Sequence, residues 1–210
     1  MRIFDAFHLS TGDFKEILSF LRSGGVIGFP TDTAYGLGAD PFSESAVRRI
    51  FEIKGRPDSK PVLVLVDSIE MMRKIVTVSD LAEKLAREFW PGPLTMVLPA
   101  LPNVPRFLTA GTDALGVRWP KSEFANRLVR DFELPITATS ANKSGLPAST
   151  RASEVIGQLG ADLEMLIDGG ELPSAEGSTI VELTGTVPRI LREGAMPRSV
   201  LAKALDGNLQ

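Results

Sequence analysis

The sequence contains no cysteine and only one histidine, His8, among its 210 residues. The absence of cysteine excludes a disulfide framework, a zinc ribbon, an iron–sulfur cluster and a cysteine nucleophile. One histidine cannot supply a two-histidine metal site. His8 also lies in a polar N-terminal stretch, far from any G-x-S-x-G motif, which argues against a serine–histidine–aspartate triad. These absences exclude cysteine chemistry and two-histidine metal sites, and they argue against a histidine-activated serine.

Long apolar segments are missing as well. No apolar run reaches 18 residues, so the sequence predicts no membrane-spanning helix. The N-terminus MRIFDAFHLS lacks the uninterrupted apolar segment of a secretory signal, so we expect a cytoplasmic protein with no membrane partner. The net charge is −3, and 43% of the residues are hydrophobic, which is typical of a globular chain. Because no repeat or low-complexity linker divides it, we predict a single domain over residues 1–210.

Helical and strand patterns alternate along the chain, which predicts an α/β fold. Ser10 and Ser43 precede amphipathic stretches and are expected to cap two helices. Residues 31–41 are rich in glycine and threonine and are interpreted as a loop, whereas 136–140 is interpreted as one strand. The closing strands, within 165–191, have no helices between them. Part of the sheet is therefore expected to be antiparallel.

Two polar clusters follow predicted strands or helices early in the chain. Residues 31–38, TDTAYGLG, combine hydroxyl side chains with glycines that let a ligand approach the backbone closely. Lys54, Arg56 and Lys60 form a cationic corner stiffened by two prolines, which suits a polyphosphate. A plain glycine-rich turn and a solvated helix C-terminus are the alternatives for these two clusters.

Further polar residues lie later in the chain. Ser140 and Asn142 belong to TATSANKSG at a strand end, where they could bind phosphate or ribose oxygens or form a simple turn. Arg118 stands inside the apolar strand GVRWP and needs either an anionic ligand or a buried acidic partner. Alternation predicts that Arg118 points into a cavity if Val117 and Trp119 pack in the core. No Walker A or G-x-G-x-x-G motif occurs, so a nucleotide site would be of another kind.

Seven motifs in a fixed order resemble the YrdC-like family. The resemblance covers roughly Gly24 to Ala195, and within the family the chain looks like the short, single-domain threonylcarbamoyl-AMP synthases. It implies a twisted mixed parallel and antiparallel sheet, flanked by helices around a large cavity. The motifs are GGVIGFPTDTAYGLGAD, KGRPDSKPVLVLV, WPGPLTMVLP, GVRWP, TSANKSG, GSTIVEL and ILREGA.

The resemblance also implies an activity. Enzymes of this kind condense L-threonine, bicarbonate and ATP, with Mg²⁺, into threonylcarbamoyl-AMP and pyrophosphate, for N6-threonylcarbamoyladenosine synthesis in tRNA. Downstream tRNA-modification proteins are implied partners, and direct tRNA binding stays open. Mg²⁺ would bridge phosphate oxygens, so no metal-ligating residue is assigned.

Site residues follow from the same resemblance. It implies that Lys54 and Arg56 are catalytic and, together with Lys60, contact the ATP phosphates. Further nucleotide contacts would come from Ser140, Asn142 and Arg192, and the threonine pocket from Thr31, Thr33, Arg118 and Ser178.

The chain departs from the family pattern in three places. Leu63 or Leu65 stands where many relatives have histidine, and Trp119 replaces a small aliphatic residue. The chain ends at Gln210, so the linker and second domain of the long form are expected to be missing. Two other functions stay open: an RNA-binding or ribosome-maturation module of the same fold, and a paralogue that uses a different amine or acid.

Overall fold

The computed structural model describes residues 1–55, 61–173 and 176–210. Helices and strands alternate along most of the chain, as the sequence predicts. The strands are β1 Arg2–Asp5, β2 Ile27–Phe29, β3 Gly36–Gly38, β4 Val64–Leu65, β5 Leu94–Pro99, β6 Ala114–Arg118, β7 Ile136–Thr137, β8 Thr139–Ser140, β9 Met165–Asp168, β10 Thr179–Glu182 and β11 Arg189–Arg192. The helices are α1 Thr11–Arg22, α2 Glu44–Lys54, α3 Ile69–Met72, α4 Asp80–Phe89, α5 Arg106–Thr109, α6 Glu123–Phe132, α7 Ala152–Leu159 and α8 Arg198–Ala204.

The first two helices begin and end where their local sequence directs. The hydroxyl of Ser10 accepts a hydrogen bond from the backbone nitrogen of Asp13 at 3.1 Å, and the Asp13 carboxylate accepts one from the Ser10 backbone in return. Ser43 caps α2 in the same way. Helix α2 ends at Gly55, whose φ of 58° is left-handed and favours glycine. Both predicted caps are confirmed.

The strands form two mixed sheets. One sheet has the order β1-β9-β2-β3-β8 and the other the order β11-β10-β5-β6-β4-β7. In the first, β1, β9 and β2 run parallel, whereas β3 is antiparallel to both of its neighbours. In the second, β10 is parallel to β5 and β4 is parallel to β6, and the other pairs are antiparallel. An α/β fold with mixed sheets flanked by helices is therefore confirmed.

The structure corrects two details of the sequence interpretation. The prediction of a loop throughout 31–41 is wrong at Gly36–Gly38, because β3 pairs with β2 on one side and β8 on the other. The single strand predicted over 136–140 is divided at Ala138, so that β7 joins the six-stranded sheet and β8 joins the five-stranded one. In the part of the chain that the structure describes, no helix is both long and apolar enough to cross a membrane.

The six-stranded sheet has one apolar face and one mixed face. Because side chains alternate along a strand, every second residue points to the same side. One set packs into a large hydrophobic core and includes Leu94, Met96 and Leu98 of β5 and Leu115 and Val117 of β6. The other set is left to face a cavity.

Candidate active site

A cavity of about 710 Å³ is lined by residues of both sheets. The mixed face of the six-stranded sheet forms one wall, and the segments around β3 and β8 contribute to another. Cavities of this size hold small-molecule ligands. The lining residues in or next to the strands of the six-stranded sheet include Leu63, Leu65, Thr95, Val97, Pro99, Ala114, Gly116, Arg118, Ser178, Ile180, Glu182, Leu191 and Arg192.

The cavity is polarised along the strands. Arg118 lies at the C-terminal end of β6, next to the N-terminal ends of β5 and β10, where Thr95 and Ser178 line the wall. Asp113 and Glu182 line the wall at the opposite ends of the same strands. Glu176, two residues before Ser178, also lines the wall, so the Arg118 end carries positive and negative side chains together, whereas the described lining at the opposite end carries acidic groups without a cation.

Arg118 is held from three sides. Its Nε donates to the Gly92 carbonyl oxygen at 3.0 Å, its Nη1 to Thr33 Oγ1 at 3.2 Å and its Nη2 to Asp32 Oδ1 at 2.6 Å. Burial lowers the pKa of Arg118, and the Asp32 carboxylate opposes that shift. As alternation predicts, Val117 and Trp119 pack with the core on the other side of the strand. The guanidinium faces the cavity in a fixed orientation while paired with a partly buried acid.

Two threonine hydroxyls stand beside this guanidinium. Thr31 Oγ1 donates to the carbonyl oxygen of Ala34 at 2.7 Å and accepts from the backbone nitrogen of Thr33 at 3.2 Å, which closes a tight turn. The hydroxyl oxygens of Thr31 and Thr33 lie 3.2 Å apart, and both residues line the cavity. The turn follows β2 directly, so a strand end presents these hydroxyls, as the sequence analysis expects.

A second arginine faces the same cavity. Arg192 donates from Nε and Nη2 to the carbonyl oxygen of Ser178 at 3.2 and 2.6 Å. The Ser178 hydroxyl shares a hydrogen bond with Thr95 Oγ1 at 2.7 Å. Burial lowers the pKa of Arg192, and the positive charge of Arg118 lowers it further. The two guanidinium groups are thus close enough to sense each other across one site.

Lys54 and Asn142 lie behind the cavity wall rather than on it. Both side chains are buried, and Lys54 Nζ donates to the carbonyl oxygens of Ser140 and Asn142 and to Asn142 Oδ1. Of the predicted pair in the TSANKSG loop, Ser140 lines the cavity, whereas the Asn142 amide donates into its own loop. Ala141 is fully buried, as expected. The structure therefore brings Thr31, Thr33, Arg118, Ser140, Ser178 and Arg192 together at the cavity.

Arg56 and Lys60, the other two cations of the predicted corner, lie outside the described residues. Leu63 and Leu65 both line the cavity, and the resemblance to the family implies a histidine at one of these two positions. An apolar surface therefore stands where an imidazole is expected.

Sequence reasoning missed three residues of the site. Asp32 is the partly buried ion-pair partner of Arg118, and Thr95 is the hydrogen-bond partner of Ser178. Tyr35 also lines the cavity, and its hydroxyl donates to Asp168 and Gly170 and accepts from the backbone of Gly169. Only tertiary contacts reveal these roles, although Asp32 belongs to a cluster that the sequence analysis singles out.

Comparison with known proteins identifies the family. A model of the Sua5/YciO/YrdC family, described by the words telomere recombination, matches residues 19–194. The chain belongs to the Sua5/YciO/YrdC family. The resemblance found in the seven motifs is thereby confirmed.

Relatives with this fold are similar over most of this chain. The threonylcarbamoyl-AMP synthase of Pyrococcus abyssi is 43% identical over 187 residues, which cover 89% of this chain and 55% of the relative. That of Enterobacter sp. strain 638 is 35% identical over 170 residues, covering 79% of this chain and 90% of the relative. A crystal structure of P. abyssi Sua5 complexed with L-threonine is 38% identical, with a TM-score of 0.95, and the match covers 100% of this chain and 63% of that chain. The chain thus spans little more than half of the Pyrococcus relative.

Proposed function

We propose that this chain is an L-threonylcarbamoyl-AMP synthase, which joins L-threonine, bicarbonate and ATP and releases pyrophosphate. The observation that carries the proposal is the convergence of the Arg118 guanidinium with the hydroxyls of Thr31, Thr33 and Ser178 at one end of a cavity. A guanidinium can bind the carboxylate of an amino acid, and neighbouring hydroxyls can bind its side-chain hydroxyl. Relatives named for this activity support the assignment.

The nucleotide would occupy the same cavity beside the amino acid. Arg192 supplies a second positive charge, and Ser140 adds a hydroxyl on the wall. Arg56 and Lys60 enter the proposal through the sequence motif alone, as contacts for the phosphates. Lys54 would act indirectly, because its ammonium group donates to backbone carbonyl oxygens of the loop that presents Ser140 to the cavity.

The reaction needs two displacements in which substrate atoms are the nucleophiles. The threonine amine forms a bond to the bicarbonate carbon with loss of water, and a carbamate oxygen then attacks the α-phosphorus of ATP. The bond to pyrophosphate breaks as the new phosphorus–oxygen bond forms. The side chains of the site bind, orient and balance charge, which is how enzymes accelerate displacement at phosphorus.

Mg²⁺ belongs to this proposal as the usual partner of ATP. When bound, it neutralises charge on the phosphate oxygens. In residues 1–55, 61–173 and 176–210, no group of three or more acidic or histidine side chains could hold a metal ion. In this proposal the triphosphate would hold the metal, with few protein ligands.

The setting of the enzyme is part of the proposal too. We infer a cytoplasmic location and transfer of threonylcarbamoyl-AMP to downstream tRNA-modification proteins. A single domain over 1–210 stays a prediction.

Measuring pyrophosphate release from ATP tests the function. Release should require L-threonine and bicarbonate together, and omission of either should reduce it to background. Pyrophosphate release that ignores threonine but needs another amine would favour the paralogue hypothesis. A protein that releases none, yet binds RNA with an affinity that falls steeply with salt, would favour the RNA-binding hypothesis.

A further inference from the structure

The two arginines of the cavity stand in different charge environments. Arg118 forms an ion pair with Asp32, with Nη2 and Oδ1 2.6 Å apart and the two side chains only 6% and 11% exposed. Arg192 donates instead to the carbonyl and hydroxyl oxygens of Ser178, which are neutral. The Arg118 end of the cavity thus combines a positive with a negative charge in one ion pair, whereas the oxygens that accept hydrogen bonds from Arg192 are uncharged.

Asp32 is fixed in this arrangement. It lies between Thr31 and Thr33 in the turn that the Thr31 hydroxyl closes, immediately after β2 of the five-stranded sheet. Arg118 ends β6 of the six-stranded sheet. The ion pair therefore joins the two sheets, and neither partner can move away when a ligand enters without breaking buried hydrogen bonds.

We infer that Asp32 makes the Arg118 end of the cavity selective for a zwitterionic amino acid over acids that carry no ammonium group. This inference rests on the proposed function. A carboxylate bound to Arg118 lies within a few ångströms of the Asp32 carboxylate, and like charges at low dielectric repel strongly. An amino acid also carries an ammonium group, which the Asp32 charge attracts. This attraction offsets most of the repulsion between the two carboxylates. Repulsion of the wrong ligand is a common source of specificity.

Asp32 acts through the electrostatics and orientation of Arg118 and is a positioning and specificity-determining residue. The same charge would also separate the zwitterionic amino acid from the anionic nucleotide within one cavity. The triphosphate has no ammonium group, and the Asp32 charge offsets the attraction that Arg118 would exert on it, while the oxygens that accept from Arg192 are uncharged. L-threonine is thereby protected from competition by the far more highly charged nucleotide.

The decisive comparison is between L-threonine and (R)-3-hydroxybutyrate, which has the same carboxylate and hydroxyl but no amine. We expect isothermal titration calorimetry on the wild-type chain to give at least about a tenfold lower Kd for L-threonine, a difference of about 1.4 kcal/mol or more. Asp32→Asn keeps the size and the acceptor oxygen but removes the charge. This variant should bind L-threonine more weakly and (R)-3-hydroxybutyrate more tightly, so the ratio of the two Kd values should fall at least tenfold.

Two further variants separate charge from fold. Asp32→Glu restores the charge and should recover part of the selectivity. Glu171→Gln removes a carboxylate from an exposed ion pair with Arg151 and should leave both Kd values unchanged. Circular dichroism and urea unfolding check that each variant is folded. A loss of structure alone would weaken the binding of both compounds. The inference requires that L-threonine bind more weakly and (R)-3-hydroxybutyrate more tightly.

The outcomes distinguish this inference from the proposed function. A wild-type chain that fails to bind L-threonine overturns the proposed function and the inference with it. A wild-type chain that binds both compounds equally well overturns the inference alone, and this comparison stands even if Asp32→Asn does not fold. A folded Asp32→Asn with an unchanged ratio of Kd values overturns it as well.

Discussion

The ammonium group of Lys54 donates a hydrogen bond to the backbone carbonyl oxygen of Asn142 at 2.9 Å, although the two residues lie 88 positions apart. It also donates to the Ser140 carbonyl oxygen and to the Asn142 side chain. Asn142 in turn donates from Nδ2 to the carbonyl oxygens of Lys143 and Leu146 at 2.9 and 2.6 Å. Lys54 and Asn142 therefore hold the loop that presents Ser140 to the cavity.

Replacing Lys54 with methionine should destabilise the fold. The Lys54 side chain is buried, so its loss leaves several backbone and amide oxygens without their donor. Each unsatisfied buried polar group costs about 1–3 kcal/mol, and we expect the free energy of unfolding to fall by about 2–4 kcal/mol. Urea unfolding of the wild type and the variant at pH 7 measures this change in the free energy of unfolding.

Lys84→Met is the matched control for this variant. Lys84 donates one exposed hydrogen bond to the Ala204 carbonyl oxygen, so its loss should change stability by less than about 0.5 kcal/mol. If Lys54→Met is as stable as the control and loses only ATP affinity, Lys54 acts on the phosphates, as the sequence motif suggests, and the loop does not depend on it.

The helices could be predicted because their signals are local, whereas some strands could not. Ser10 and Ser43 precede amphipathic stretches, and both cap helices as expected. Gly36–Gly38 contains two glycines, which weaken strand propensity, and it becomes β3 because β2 and β8 supply hydrogen-bond partners on both sides. The strand over 136–140 divides between sheets because its two halves have different neighbours, which no local pattern records.

The candidate site, like the fold, could be predicted from the sequence only in part. Alternation along β6 predicts the direction of Arg118, since Val117 and Trp119 pack in the core. Its partner Asp32 lies 86 positions earlier, and no local pattern pairs the two. Lys54 is interpreted as a phosphate ligand because cations cluster around it in sequence, yet α2 directs its side chain to the Ser140 loop. Local patterns thus identify which residues matter better than what they contact.

Gly194→Ala should disturb the Arg192 contact. A Cβ atom at Gly194 would lie 2.6 Å from the carbonyl carbon of Ser178 and 2.7 Å from its oxygen, so the backbone would have to move. That oxygen accepts both hydrogen bonds from Arg192. We expect a loss of about 1–3 kcal/mol in stability, the usual cost of overpacking, and at least a fivefold rise in KM for ATP.

The control for this variant is Gly185→Ala, because a Cβ atom there would meet nothing within 4 Å. It should leave stability within about 0.5 kcal/mol and KM for ATP unchanged. Equal kinetics and stability for the two alanine variants would show that the backbone around Gly194, after β11, adjusts without moving Arg192.

Tyr35 should titrate at unusually high pH. Burial raises the pKa of its phenol to about 12, and the nearby Asp168 carboxylate adds to the shift. Tyr35 is the only tyrosine in the sequence, so absorbance near 295 nm reports this one group. We expect a midpoint near pH 12 in the native chain and near pH 10, the ordinary value, in denaturant.

The same shift makes stability depend on pH. Since the folded pKa is the higher one, the contribution of Tyr35 is fully present below about pH 10 and is lost as the pH rises towards 12. Between about pH 10 and 12, the free energy of unfolding from urea titrations should fall more steeply for the wild type than for Tyr35→Phe. The variant has no phenol to ionise. A native midpoint at pH 10 would contradict the burial of the hydroxyl.

Substrate choice should depend on the side-chain hydroxyl more than on the methyl group. The hydroxyls of Thr31, Thr33 and Ser178 line the Arg118 end of the cavity, where we propose that threonine binds, and protein partners already orient each of them. A site built to hydrogen-bond a hydroxyl leaves buried polar groups unpaired when the hydroxyl is missing, whereas a missing methyl costs only about 1–3 kcal/mol. Serine should therefore retain a kcat/KM about 10–200-fold below that of threonine. 2-Aminobutyrate, which keeps the methyl and lacks the hydroxyl, should fall at least about a thousandfold below threonine. Pyrophosphate release at saturating ATP and bicarbonate measures all three, and comparable rates for threonine and 2-aminobutyrate would show that the site does not read the hydroxyl.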